Sequence, residues 1–386
     1  MLLAAINPAD NPLSREFYRL LAHNFGPTIP PLLVAFVVTV ALVLPVRQLS
    51  FKLGAVAPPG GRNIHDRPTA RLGGLALAAG FLVSAVAFAL LGRAASHDGF
   101  PTAQLVALIG VGVLTVVLML VDDLRQMPAR YKFASQLLLA VLVPAIGISI
   151  HFINFGGGHV LQLGLLALPV TVIWLLGMQN TMNLLDGVDG LAAGVAAIVA
   201  GALLLAAVNR ETQNPEQLTV VLLCAALIGA CAGFLLFNFH PARIFMGDNG
   251  SHFLGMMLGI ISIFGIAKGE VVLALVVPLA ALAFPIVDTG LAIVRRRRQG
   301  ISIGHPDTEH IHHQLLDFGL SQRETCLVFY SATGITAGLG LMAYGHRKII
   351  AVAVVLLVVT VSTLVGERLS EIENASARKS GGLLES

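Results

Sequence analysis

Residues 183–208 read NLLDGVDGLAAGVAAIVAGALLLAAV. An amide and two carboxylates, Asn183, Asp186 and Asp189, fall three residues apart and lead straight into an apolar stretch. The approach from the other side, LPVTVIWLLGMQ at 168–179, is as apolar. Crossing a bilayer takes about 20 mostly apolar residues per helix. The segment therefore reads as two membrane spans joined at a charged turn, and the charge needs a reason.

The rest of the chain repeats this pattern. Of 386 residues, 56% are hydrophobic and 12% charged, against about 25% charged in soluble domains. Mean hydropathy is +0.84. About eleven runs are long and apolar enough to span: 29–49, 72–92, 101–121, 133–150, 161–178, 188–208, 218–237, 251–267, 271–294, 325–344 and 348–365. The expected fold is an all-α polytopic integral membrane protein. Residues 1–28 form a segment outside the bilayer, 29–366 a single transmembrane domain, and 367–386 a polar tail. No sizeable soluble domain fits between the spans, and nothing points to a nucleic-acid partner. The opening MLLAAI lacks a preceding positive charge and a small-residue cleavage site, so it is not read as a cleaved leader. Cys224, Cys231 and Cys326 are too scattered for a framework and read as packing thiols. No internal repeat is visible.

Eleven spans put the termini on opposite sides. With the N-terminus outside, one face receives loops 50–71, 122–132, 179–187, 238–250 and 295–324 plus the tail. That face holds about 17 of the 24 Lys and Arg residues, which makes it cytoplasmic by the positive-inside rule. The opposite loops, such as HDGFP at 97–101, read as plain connectors.

The same face gathers the acids and histidines. VDDLRQMPARYKF at 121–133 places Asp122 and Asp123 at the end of a span. Adjacent carboxylates repel unless a cation lies beside them or one is protonated; taken alone, the motif is better read as a solvated helix end with Asp123 paired to Arg125 or Lys132. Asn183, Asp186 and Asp189 would share a helix face at i, i+3 spacing, or form a polar turn with one Asp as cap. In FNFHPARIFMGDNGSHFLG at 237–255, Asp248 lies in a Gly-Asp-Asn-Gly turn ahead of a span, with Phe245 three residues earlier. In RRRRQGISIGHPDTEHIHHQLLDFGLS at 295–321, His310, His312 and His313 crowd together. Zinc suits imidazoles, but i and i+2 point apart on a helix and no thiolate is near.

Joint placement decides what single motifs leave open. A carboxylate at a membrane helix centre costs about 2.5–3.5 kcal/mol, so five facing lipid would cost on the order of 12–18 kcal/mol, beyond the net stability of a typical domain. Asp122, Asp123, Asp186, Asp189 and Asp248 must share a hydrated cleft, with a divalent cation. Hard carboxylates favour Mg²⁺, with Mn²⁺ as a substitute, over zinc. Such a cleft rimmed by Arg and Lys suits a diphosphate.

VDDL at 121–124, NLLDGVDGL at 183–191, FMGDNGSHFLG at 245–255 and HIHH at 310–313 occur in that order on successive loops. With IHDRPTARLGG at 64–74, the chain over about residues 30–325 resembles the polyprenyl-phosphate N-acetylhexosamine-1-phosphate transferases of glycosyltransferase family 4. HIHH stands where the phospho-MurNAc-pentapeptide translocase branch typically has three consecutive histidines. The last loop and the span count are closer to the bacterial undecaprenyl-phosphate GlcNAc-1-phosphate transferase branch. The resemblance implies transfer of a sugar-1-phosphate, GlcNAc-1-phosphate by default, from a UDP-N-acetylhexosamine to polyprenyl phosphate with release of UMP, as the first membrane step of a cell-envelope polysaccharide. It implies the bacterial inner membrane, and it allows a homodimer.

The resemblance also implies roles. Asp248 is a Mg²⁺ ligand, with Asn183 helping. Asp122 deprotonates the lipid phosphate, and Asp123 supports the site electrostatically. A covalent aspartyl-phosphate route stands beside this one. Asp186 and Asp189 organise the metal-nucleotide end, and Asn238 and Phe245 face the uracil. His310, His312 and His313, with Arg71 and Lys132, hold phosphates or sugar. Spacing alone puts Asp288, seven residues before Arg295, about 10 Å deep, either behind the site or beside the lipid phosphate. The rival of another class is an ion-coupled transporter, since intramembrane acids mark ion coupling. Transporter sites, however, lie near mid-bilayer and between repeats. An intramembrane metalloprotease lacks its His-Glu-x-x-His helix.

Overall fold

The computed structural model describes residues 26–58, 68–95, 102–154, 160–211, 217–266, 294, 297–298, 315 and 319–342. Within them the protein is mostly helical. The helices are α1 (Ile29–Leu53), α2 (Gly74–Ala95), α3 (Thr102–Arg125), α4 (Ala129–Ala145), α5 (Ala167–Leu185), α6 (Leu191–Glu211), α7 (Gln217–Asn238), α8 (Gly247–Ile266) and α9 (Gln322–Met342). Among the described residues five segments are long and apolar enough to cross a membrane: Gly26–Leu53, Gln104–Arg125, Gly164–Leu185, Leu191–Val208 and Leu218–Asn238. The expected spans 271–294, except residue 294, and 348–365 lie outside the described residues, as does Asp288.

Local chemistry sets several boundaries. α1 starts with prolines in its first turn, where a missing N–H costs nothing, and ends on Gly54 in the left-handed region at φ 71°. Exposed Leu33, Val37 and Leu44 on α1, and Val106, Val113, Val117 and Val121 on α3, fall at helical spacings and form apolar outer stripes. α8 is different. From Asn249 to Ile263 it is buried on every side, with α3 and α5 packed most extensively on it and α2, α6 and α7 adding contacts. α1 lies against α2 and α7, α6 against α7, and α9 against α6.

Three details depart from the sequence reading. A small antiparallel hairpin, Phe152–Asn154 with Val160–Gln162, lies between two expected spans and takes the first two residues, 161–162, of the second. Aromatic and β-branched residues flank a glycine run there, which favours a ribbon over a helix. α5 continues through the expected loop as far as Leu185, so Asn183 is helical. Asp248 stands in the first turn of α8 rather than in a turn before it, because that helix end is capped from α3 as described below.

A second pairing carries the chain to the site. Val56–Ala57 pairs with Thr69–Ala70, and Ala70 bridges to Ile244. Phe245 N–H donates to the Ala70 carbonyl, while Gly73 and Gly74 N–H donate to the carbonyls of Phe245 and Met246. A Cβ at Gly74 would strike the Gly250 backbone, and one at Gly247 (φ +75°) would strike the Arg71 carbonyl. Glycine at these positions lets the start of α2 lie directly on the start of α8.

Candidate active site at one end of the bundle

The motif residues meet where α3 ends, α4 begins, α5 ends and α8 begins. Asp122 and Asp123 are both buried, at 5% and 6% exposure, yet the two adjacent carboxylates face different partners. Asp122 Oδ1 accepts Met127 N–H at 2.8 Å, which fixes the turn into α4. Its Oδ2 lies 3.1 Å from Lys132 Nζ. Asp123 instead caps α8. Its Oδ1 accepts Asp248 N–H at 2.9 Å, and its Oδ2 accepts Asn249 N–H at 2.9 Å and Asn249 Nδ2 at 2.6 Å. A carboxylate at a helix N-terminus satisfies orphan donors and complements the helix dipole. Arg71 Nη2 stands 3.8 Å from Asp123 Oδ1, delivered by the pairing of 70–74 with 244–246.

Asp248 is the meeting point. Its Oδ1 accepts Asn183 Nδ2 at 2.5 Å and pairs with Lys132 Nζ at 2.8 Å. Asn183 also donates to Ser251 Oγ at 3.0 Å. One ammonium thus bridges Asp122 and Asp248. Lys132, Asp248 and Arg71 keep 23%, 18% and 33% side-chain exposure, so the cluster opens to solvent.

Asp186 follows α5 as its C-terminal cap residue, half-buried. Burial, then the nearby carboxylates of Asp248 and Asp123, push its acid well above the ordinary carboxylate range. Asp189 turns the other way. Its Oδ2 accepts Ala242 N–H at 3.0 Å and pairs with His240 Nδ1 at 2.9 Å. Its backbone carbonyl accepts Cys326 Sγ–H, and its N–H donates to Gln322 Oε1. The NLLDGVDG acids therefore do not converge on one point. Asn183 and Asp186 face the Asp248 cluster, while Asp189 ties the α5–α6 turn to the α7–α8 loop and to α9. Asn238 is a structural partner of that turn: its Oδ1 accepts Gly190 N–H at 3.0 Å and its Nδ2 donates to the Ile244 carbonyl at 2.9 Å. Phe245 is half-buried. His310, His312, His313, Arg295 and Arg296 lie outside the described residues.

The sequence reading passed over Gln136, Asn180, Ser251, His252 and His240. Each stands three or four residues along a helix from a motif residue, or two from one in a loop; helical periodicity applied to the motif residues would have found the first four.

A divalent cation fits the donor chemistry. Asp122 and Asp248 share one lysine, and burial, then the carboxylates of Asp248 and Asp123, push Asp186 toward protonation. Among the described residues no three His, Cys, Asp or Glu side chains form a ready-made cage. That matches how Mg²⁺ is usually held, by one or two carboxylates together with substrate phosphates.

The sequence is similar to those of several known proteins. The sequence model of the family described as Glycosyl transferase family 4 matches residues 105–266. The chain is 37% identical over 305 residues to the probable undecaprenyl-phosphate N-acetylglucosaminyl 1-phosphate transferase of Bacillus subtilis, covering 78% of this chain and 81% of that one. It is 37% identical over 328 residues to the decaprenyl-phosphate N-acetylglucosaminephosphotransferase of Mycobacterium tuberculosis, covering 79% and 80%. The phospho-N-acetylmuramoyl-pentapeptide-transferase of Halalkalibacterium halodurans is 29% identical over 329 residues, covering 78% and 92%.

Proposed function

Because this chain belongs to glycosyl transferase family 4, we propose that it moves GlcNAc-1-phosphate from UDP-GlcNAc to a polyprenyl phosphate, undecaprenyl phosphate in the first instance, and releases UMP. The observation that carries this reading is the cluster Asp122–Lys132–Asp248 at one end of an apolar bundle. A lipid phosphate and a soluble nucleotide can meet only at such an end. A transport pathway would place its acids near mid-depth, and nothing favours it.

The mechanism follows from which groups remain available. Asp123 has its oxygens filled by donors from α8, so it shapes the site rather than reacting. Asp122 has one oxygen on the Met127 amide and the other toward the lysine, and it is the base that takes the proton of the lipid phosphate. A freed phosphate oxygen then attacks the β-phosphorus. A new P–O bond forms, the bond from the β-phosphorus to the bridging oxygen breaks, and UMP leaves with that oxygen. Lys132 and Arg71 offset charge on the phosphates, which is most of what phosphoryl transfer requires of a protein. Asp248, oriented by Asn183 and aided by Asp186, would hold Mg²⁺, with Mn²⁺ as a substitute; the ion supplies charge neutralisation across the diphosphate. His310, His312 and His313 are assigned to the phosphates or the sugar, and Phe245 to the uracil. Asn238 contributes through loop shape, since its amide is engaged with backbone. Asp189 keeps the nucleotide-side loops together. The face bearing the site is cytoplasmic, in a bacterial inner membrane.

The test is UMP release by purified protein with undecaprenyl phosphate, UDP-GlcNAc and Mg²⁺. Release should need all three and collapse in Asp248→Asn. Release with a different UDP-amino sugar would correct the substrate. Silence of folded protein with every UDP-amino sugar would reject the reading.

A further inference from the structure

Three helices each bring two polar residues one turn apart to the same place: Lys132 and Gln136 on α4, Asn183 and Asn180 on α5, Asp248 and His252 on α8. Lys132, Asn183 and Asp248 form the outer layer already described. Gln136, Asn180 and His252 form a second layer about 6 Å deeper, in which Gln136 and His252 are 3% and 0% exposed. Gln136 and His252, uncharged and polar, sit where apolar residues would ordinarily pack, and the exposed Asn180 closes the layer at its edge.

The deeper layer is a single directed chain. Asn180 Nδ2 donates to the Leu176 carbonyl at 2.8 Å and to Gln136 Oε1 at 3.0 Å. Gln136 Nε2 lies 2.8 Å from His252 Nε2. His252 Nδ1 lies 3.0 Å from the backbone carbonyl of Asp248 and 3.9 Å from its Oδ1. Both ends of the chain are carbonyls, which only accept. Direction is therefore imposed: the asparagine donates to the glutamine, the glutamine to Nε2, and the imidazole carries its hydrogen on Nδ1 toward Asp248. A hydrogen on Nε2 would face the glutamine NH₂, and turning that amide would set its NH₂ against that of Asn180.

We infer that His252 is a positioning residue for Asp248, held as the neutral Nδ1–H tautomer by Gln136 and Asn180. Both ring nitrogens are engaged, so His252 neither binds a metal nor moves a proton; it acts through the helix turn that carries Asp248. Outer partners of this kind tune a ligand's orientation, and their loss typically costs about 10–100-fold in metal affinity or activity. The inference rests on the assignment of Asp248 above for its consequence, but not for its geometry.

The test uses full-length protein in detergent with ¹⁵N-labelled histidine, the His252 signals being those lost in His252→Asn. Unmutated protein should show hydrogen on Nδ1 and a bare Nε2. In Gln136→Glu, which keeps size but places an acceptor against the ring, hydrogen should appear on Nε2. An Nε2–H tautomer in unmutated protein, or no change in Gln136→Glu, would overturn the inference. Mn²⁺ titration followed by electron paramagnetic resonance gives the consequence. Gln136→Leu, which touches no proposed ligand, should weaken Mn²⁺ binding toward the lower end of about 10–100-fold, and His252→Leu, which removes the donor to the Asp248 carbonyl itself, should weaken it at least as much; a smaller loss in His252→Leu would refute positioning through the ring. Equal Mn²⁺ affinity in Gln136→Leu and unmutated protein would refute positioning. If unmutated protein binds no Mn²⁺ while the ring pattern holds, the metal assignment of Asp248 falls and the tautomer chain stands.

Discussion

Asp123→Asn and Asp122→Asn remove the same charge from neighbouring positions, and the structure requires them to fail differently. Asp123 accepts three hydrogens from the start of α8. An asparagine has one acceptor oxygen. Its best orientation keeps that oxygen on the Asn249 donors and turns its NH₂ toward Asp248 N–H, leaving a buried donor facing a donor. An orphaned buried donor costs about 1–3 kcal/mol, and the two retained bonds fall from charge-assisted to neutral strength, roughly half. Relief of repulsion with Asp248 returns part of this, giving a net loss of about 2–4 kcal/mol. Asp122→Asn keeps the Met127 bond and turns its NH₂ toward Lys132, whose partly exposed ammonium moves off it and retains Asp248, so the loss is about 0–1 kcal/mol. In thermal unfolding of detergent-solubilised protein, Asp123→Asn should melt about 4–8 °C lower and Asp122→Asn nearly unchanged. UMP release should rank the other way: Asp122→Asn folds normally but loses about 10²–10⁴-fold as a missing base. Equal melting losses, or a larger loss for Asp122→Asn, would refute the division of labour between the two aspartates.

Two further outcomes follow from the acids around the α5–α6 turn. Asp186 is held above its ordinary range by burial and by the Asp248 and Asp123 carboxylates, so its ionised form opposes folding at neutral pH. Without metal, Asp186→Asn should melt about 1–4 °C higher than unmutated protein at pH 7, show less benefit from added Mg²⁺, and release UMP more slowly; a lower melting point would contradict the electrostatic account. Asp189→Ala strands the Ala242 N–H and the His240 partner. It should cost about 1–3 kcal/mol in thermal or denaturant unfolding while Mn²⁺ affinity falls less than in Asp248→Asn; the reverse order would return Asp189 to the metal end.

Much of this was written in the chain. The apolar runs, the acids beside them and their order along the loops suffice for a mostly helical protein with several candidate spans and for the expectation that its acids gather at helix ends, because insertion cost forbids scattered carboxylates. The resemblance carried by VDDL, NLLDGVDGL and FMGDNGSHFLG named the family that comparison with relatives then bore out. Spacing alone could not divide roles among look-alike groups. Asp122 and Asp123 are adjacent and chemically identical, and only the approach of α8 makes one a cap and leaves the other beside Lys132. Asp186 and Asp189 share a turn, yet the α7–α8 loop claims Asp189. The layer of Gln136, Asn180 and His252 has no motif of its own, since its meaning lies in three helices meeting at one depth. Burial and charge pattern are local properties that a sequence displays. The partner of each lone pair depends on contacts between residues more than a hundred positions apart, such as Asp123 with Asn249, and those exist only once the helices have packed.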